Sequence, residues 1–92
     1  MPPRESSVET RLVEAAAVEG WDTIKLSRTD AKGRPDRMFL RDGRVVFLEV
    51  KRPGEEPNRQ QKNAAVWLQS LGFMADWVDN VDDGLKLLRR IW

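Results

Sequence analysis

The feature that most constrains this chain is the pair Asp42-Gly43, set between the apolar runs Asp36 to Leu40 and Arg44 to Lys51. Asp-Gly between two such runs is the signature of a two-residue hairpin turn, because both central residues must take positive φ. If these two residues are the turn, the register follows. Arg41 faces Arg44, Leu40 faces Val45, Met38 faces Phe47 and Asp36 faces Glu49. Side chains alternate along a strand, so Asp36, Met38 and Leu40 share a face with Val45, Phe47, Glu49 and Lys51. The apolar part of that face is expected to pack under a helix, and its far end carries two carboxylates and an ammonium.

The rest of the chain reads around this hairpin. Ser6 or Ser7 is positioned to cap a helix running to about Glu19, with Val8, Leu12, Ala15 and Ala16 at helical spacing and Gly20 ending it. Trp21 to Ser27 reads as a strand, and Thr29 to Arg34 as a polar loop. After the hairpin, Arg52 to Pro57 is a loop with two prolines. Asn58 caps a second helix to about Leu71, stopped by Gly72. Phe73 to Val78 is a short strand, and Asn80 or Asp82 caps a last helix through Arg90. The order is α-β-β-β-α-β-α, an α/β fold with a central mixed sheet flanked by helices. The 92 residues accommodate a single domain, 1–92, in which 1–5 are expected to be flexible.

Composition removes several chemistries. Cysteine and histidine are both absent. Thiolate and imidazole metal sites, disulfides, Ser-His triads and histidine bases are therefore excluded. Catalysis must use carboxylates, Lys, Arg, hydroxyls or a hard metal ion. No apolar run is long enough to span a bilayer, and Met1 to Val8 lacks the layout of a signal peptide, so a cytoplasmic location in a host or bacterial cell is expected. Net charge is +1, but the segment from Lys25 to Arg52 holds nine basic against four acidic residues. Lys25, Arg28, Lys32, Arg34, Arg37 and Arg52 are accordingly candidate phosphate-binding groups; an ordinary solvated face is the alternative.

Directly opposed carboxylates repel. Lys51 offsets part of that repulsion at Asp36 and Glu49, and a divalent cation would offset more, with Mg²⁺ or Mn²⁺ suited to oxygen donors on adjacent strands. The competing reading leaves both carboxylates solvated at the open end of the sheet, paired with nearby arginines. Glu9, flanked by Leu12, Val13 and Ala16, is a carboxylate near the packed face of the first helix, or a glutamate on its rim. Gln61 begins the stripe Gln61, Ala64, Ala65, Leu68, and its capping-box spacing from Asn58 is a second reason for its presence. Gln60 points away from that stripe. Core packing is the expectation for Trp21, Trp67 and Trp77, with Trp92 a candidate contact for a partner.

Gly33-Arg34-Pro35-Asp36 followed by Phe47-Leu48-Glu49-Val50-Lys51 resembles the PD-(D/E)XK signature of restriction-endonuclease-like nucleases. More closely, the chain resembles the VRR-NUC family, the virus-type replication-repair nucleases. The resemblance also takes in Arg4-Glu5-Ser6 leading into Val8-Glu9, then Pro53-Gly54, Gln61-Lys62 and Leu71-Gly72-Phe73. It implies a restriction-endonuclease-like core and a metal-dependent deoxyribonuclease. Asp36 and Glu49 would ligate Mg²⁺ or Mn²⁺ with the backbone carbonyl of Val50. Glu9, or Glu5 in its place, would bind the metal directly or through water. Lys51 would orient the attacking water and stabilise charge on the phosphate, and Gln61 would position that water or the lysine. The substrate implied is branched DNA, with resolution of four-way (Holliday) junctions by a homodimer whose interface uses the later helices with Ile91 and Trp92. The alternatives are a monomeric flap or end-processing nuclease, and a non-catalytic nucleic-acid-binding module.

Overall fold

The computed structural model describes residues 5–26 and 33–90. Its elements are α1 (Glu5–Val18), β1 (Asp22–Lys25), β2 (Arg37–Arg41), β3 (Arg44–Val50), α2 (Arg59–Ser70), β4 (Met74–Val78) and α3 (Val81–Arg90). The four strands form one sheet in the order β1-β2-β3-β4. The first two pairings are antiparallel and β3 with β4 is parallel, so the sheet is mixed. The element order matches the sequence reading, with boundaries moved by a residue or two.

Asp42 and Gly43 turn the hairpin with φ of 50° and 78°, the positive pair that a tight two-residue turn needs. Arg41 pairs with Arg44, Leu40 with Val45 and Met38 with Phe47, as the turn dictates. Asp36 sits one residue before β2. Helix α1 begins at Glu5, so Ser6 and Ser7 lie inside its first turn rather than ahead of it. Its end closes with the Trp21 N–H donating to Ala16 O at 3.1 Å. Asn80 caps α3 by accepting the Asp83 N–H at 2.8 Å. Asp82 and Asp83 in the first turn of α3, and Arg89 and Arg90 in its last, suit the helix dipole.

The sheet is apolar on both faces, and the faces are covered unequally. Phe39, Val46, Leu48 and Val50 are completely buried and pack with Val8, Leu12 and Ala16 of α1, Leu87 and Leu88 of α3, Trp21 and Val78. At the crossing of α1 and α3, Gly84 lets Leu12 approach closely; a Cβ there would stand 2.7 Å from a Leu12 methyl carbon. The other face carries Met38, Leu40, Val45 and Phe47, which are only half-buried. The expectation that this face lies under a helix therefore holds only in part. Two helices cover one face, while α2 alone serves the other, packing Ala64 and Leu68 beside β4. The Phe47 ring meets the edge of Phe73 at 5.5 Å between centroids.

Candidate active site

The β2-β3 hairpin and the start of α2 place four polar side chains together. Asp36 and Glu49 are buried, with 7% and 4% of their surface exposed. They are therefore not the solvated carboxylates of an open sheet end. Asp36 Oδ2 accepts the N–H of Val50 across the hairpin at 3.1 Å. Glu49 Oε2 accepts the Gln61 amide at 2.9 Å and pairs with the Lys51 ammonium at 3.2 Å. Lys51 lies just beyond β3, and its own N–H donates to Val78 O at 2.8 Å, so the backbone extends the strand. Alternation then returns the lysine side chain to the face of Glu49. Its side chain is mostly buried too, at 12% exposed.

Gln61 begins the buried stripe of α2 and also makes its capping box. Its Oε1 accepts the Asn58 N–H at 2.8 Å, while its own N–H donates to Asn58 Oδ1 at 2.9 Å, completing a capping box. With Oε1 committed to the cap, the amide nitrogen must be the group turned to Glu49. The helix start thus orients a donor onto a buried carboxylate.

Gly33 explains the first letter of the Gly33-Arg34-Pro35-Asp36 run. Its φ is +69°, and a Cβ there would lie 2.6 Å from the carbonyl carbon of Gln60 and 2.7 Å from the backbone nitrogen of Gln61. Only glycine allows the chain leading to Asp36 to touch the backbone of α2 at the residue that reaches Glu49. On the other flank of the site, Asp79 accepts the Gly54 N–H at 2.9 Å and the Asn80 amide at 2.8 Å. These bonds, the Gly54 one foremost, hold the Asp79 carboxyl below the ordinary carboxylate range. They also tie the Pro53-Gly54 loop next to Lys51.

Glu9 is placed differently from the rest. It is buried on α1, where its Oε2 takes the Arg37 guanidinium and lies 3.6 Å from the Lys25 ammonium. Arg37 also donates to Thr23 Oγ1 at 3.3 Å. Arg37 is next to Asp36 in sequence, but alternation sends it to the α1 side of the sheet. Among the described residues no group of three or more acidic side chains stands ready to hold a metal. What the site does offer is two buried carboxylates and the Val50 carbonyl at adjoining positions. These are hard oxygen donors, the chemistry that Mg²⁺ or Mn²⁺ takes with water completing the shell.

The candidate phosphate-binding residues scatter. Lys25 and Arg37 are engaged by Glu9. Arg52 is exposed and pairs with Glu55 at 3.7 Å. Arg34 lies over the Trp67 ring. Arg28, Lys32, Ile91 and Trp92 lie outside the described residues, as does the side chain of Glu5. Trp21 is core, as expected, and Trp77 is half-buried, but Trp67 is 47% exposed. The expected core role of Trp67 is wrong because its position on α2 is one step round from the buried stripe of Gln61, Ala64 and Leu68. The cluster of Trp67 with Arg34 was not anticipated; the spacing of Gln60, Asn63 and Trp67 on one helix face was the available signal.

No family model matches the chain. A curated protein named "Putative nuclease p44", from Acyrthosiphon pisum secondary endosymbiont phage 1, is 34% identical over 80 residues, covering 86% of each chain. A solved structure named as a VRR_NUC domain superposes with a TM-score of 0.82 over 96% of this chain and 97% of its own, at 23% identity. That likeness establishes the shared fold.

Proposed function

Because the chain belongs to the VRR-NUC family of nucleases, we propose that it hydrolyses phosphodiester bonds in DNA, with Asp36, Glu49, Lys51 and Gln61 as its active centre and Mg²⁺ or Mn²⁺ as its cofactor. The observation that carries this reading is the buried Glu49, held by Lys51 and Gln61. It stands beside a second buried carboxylate, Asp36, that is itself fixed to the backbone of Val50. A pure binding surface has no use for two buried carboxylates facing a polyanion.

Asp36, Glu49 and the Val50 carbonyl would hold the metal, with Glu9 at most reaching it through water from its place beside Arg37. Once bound, such an ion polarises the phosphate and lowers the pKa of a water ligand, which makes a histidine base unnecessary. Lys51 supplies a preorganised positive charge where the phosphate gains negative charge, in surroundings mostly closed to solvent. Gln61, anchored by the cap, restricts the rotamers of Glu49 and leaves the lysine a fixed partner. The 92 residues would act as one nuclease domain.

A domain of this size offers little surface for reading sequence, so recognition rests on DNA shape and phosphates. One centre cuts one strand, and paired cuts across a four-way junction need two centres related by a two-fold axis. We place the homodimer contact on the apolar groups that the later helices leave exposed. In α3, Leu87 and Leu88 turn inward, so among the described residues we take Val66 of α2 with Leu71 and Phe73 just beyond its end. The test is incubation with labelled duplex, flap, splayed-arm and four-way DNA at fixed Mg²⁺, with and without EDTA, beside sedimentation at micromolar concentration. Symmetric, EDTA-sensitive cutting of the four-way junction by a dimer is expected. A monomer that cuts flaps and spares junctions would remove the junction reading and leave the nuclease reading in place.

A further inference from the structure

Trp67 leaves nearly half of its surface in water. Few side chains gain more from burial than an indole, so its exposure on a well-formed helix needs a reason. The guanidinium of Arg34 stands 5.4 Å from its ring centroid, within cation–π range. Gln60, Asn63, Ala64 and Trp67 follow helical spacing and form one face of α2. With Arg34 they line an open cavity of about 320 Å³. That volume is at the lower end of the roughly 300–1,000 Å³ that small-molecule sites occupy.

The lining combines an aromatic plane, a cation and two primary amides, each amide offering donors and an acceptor. An apolar ligand would leave the amides unmatched, and a phosphate alone would have no use for the indole. A nucleobase uses all of them: its π-face stacks on aromatic rings and its edges pair with amide side chains. The location agrees. Arg34 is two residues before Asp36, Gln60 immediately precedes Gln61, and Gly33 brings the two segments into backbone contact.

We infer that Arg34, Gln60, Asn63 and Trp67 form a subsite that stacks one unpaired nucleobase next to the phosphate being cut. The inference rests on the reading of the chain as a DNA nuclease and adds to it a substrate preference. DNA with an unstacked or single-stranded base beside the cut is favoured over continuous duplex.

The test is fluorescence-anisotropy binding in EDTA, where no cutting occurs, of a labelled single-stranded thymidine oligonucleotide and of an abasic oligonucleotide with the same number of phosphates. The wild type is expected to bind the base-bearing strand roughly 5- to 150-fold more tightly, the range for stacking on one aromatic side chain. Trp67→Ala should reduce that ratio to about one, and Trp67→Phe should retain most of it. Equal binding of both strands by the wild type would overturn the inference alone, as would a Trp67→Ala variant that keeps the wild-type ratio. So would a loss in Trp67→Ala that tracks a change from dimer to monomer in sedimentation, since Trp67 would then be an intersubunit contact. Failure to bind either strand or a duplex control would overturn the nuclease reading and the inference together.

Discussion

Replacing Gln61 by glutamate separates the two tasks of that side chain. Glutamate serves the capping box as well as glutamine does, so the Asn58 contact survives. The amide that donates to Glu49 Oε2 at 2.9 Å becomes a second carboxylate. Losing a hydrogen bond to a charged acceptor costs about 1.5–3 kcal/mol. Repulsion is added, on the order of 4 kcal/mol for unit charges 4 Å apart at an effective dielectric of 20. The pair can escape by sharing a proton, which at about pH 7.5 costs roughly 4 kcal/mol for a carboxyl of ordinary pKa near 4.3. That escape caps the penalty, so a deficit of about 2–4 kcal/mol is expected at neutral pH. The sign follows from linkage. The shared carboxyl has a folded-state pKa raised above its unfolded value, so the deficit is smallest below the unfolded value and grows as pH rises through the folded one. Urea unfolding followed by tryptophan fluorescence at about pH 5 and about pH 7.5 measures it, with Gln61→Ala, which removes the donor without adding a carboxylate, as a variant whose deficit changes less with pH. A Gln61→Glu protein as stable as wild type at neutral pH, or with a pH-independent loss, would refute the contact between Gln61 and Glu49.

Other outcomes follow from the same geometry. Gly33→Ala should destabilise by several kcal/mol, because strain at positive φ is joined by a backbone clash at 2.6 Å; Gly43→Ala, with φ +78° and open space around it, should lose only about 1–2 kcal/mol in the same urea titration. Lys51→Ala should lose the chemical step and keep most DNA affinity, as single-turnover rates and binding curves taken together will show; normal cutting at saturating DNA would contradict its role. Asp79 is held below the usual range by the Gly54 N–H, and Glu19 by the Arg89 guanidinium. Their stabilisation is present above the ordinary carboxylate range and fades as pH falls through the lowered values, so Asp79→Asn and Glu19→Gln should each flatten the acid side of a stability–pH curve.

The hairpin was the most legible part of the chain because its turn chemistry fixes register, and register fixes which side chains share a face. That brought Asp36, Glu49 and Lys51 together without any tertiary information. Burial was harder to foresee. Both faces of the hairpin are apolar, and sequence alternation does not reveal that α1 and α3 cover Phe39, Val46, Leu48 and Val50 while α2 sits toward β4. The same blindness placed Trp67 in the core. Helical spacing puts Glu9 near a packed face, but its partners Arg37 and Lys25 come from other elements, about which that spacing carries no information. Opposed carboxylates were expected to repel. In the fold each accepts a donor, so removing either leaves a buried donor unmatched. Gly33 required the path of α2, which no local signal supplies.

Calorimetric titration of Mn²⁺ into the wild type and into the double variant Asp36→Asn, Glu49→Gln tests the central claim most directly. Both substitutions preserve shape while removing the charges that would draw a dication into the site. Binding by the wild type and none by the variant is expected under the same conditions, with the variant still folded by circular dichroism. Undiminished binding by the variant would contradict the assignment of the metal to Asp36 and Glu49.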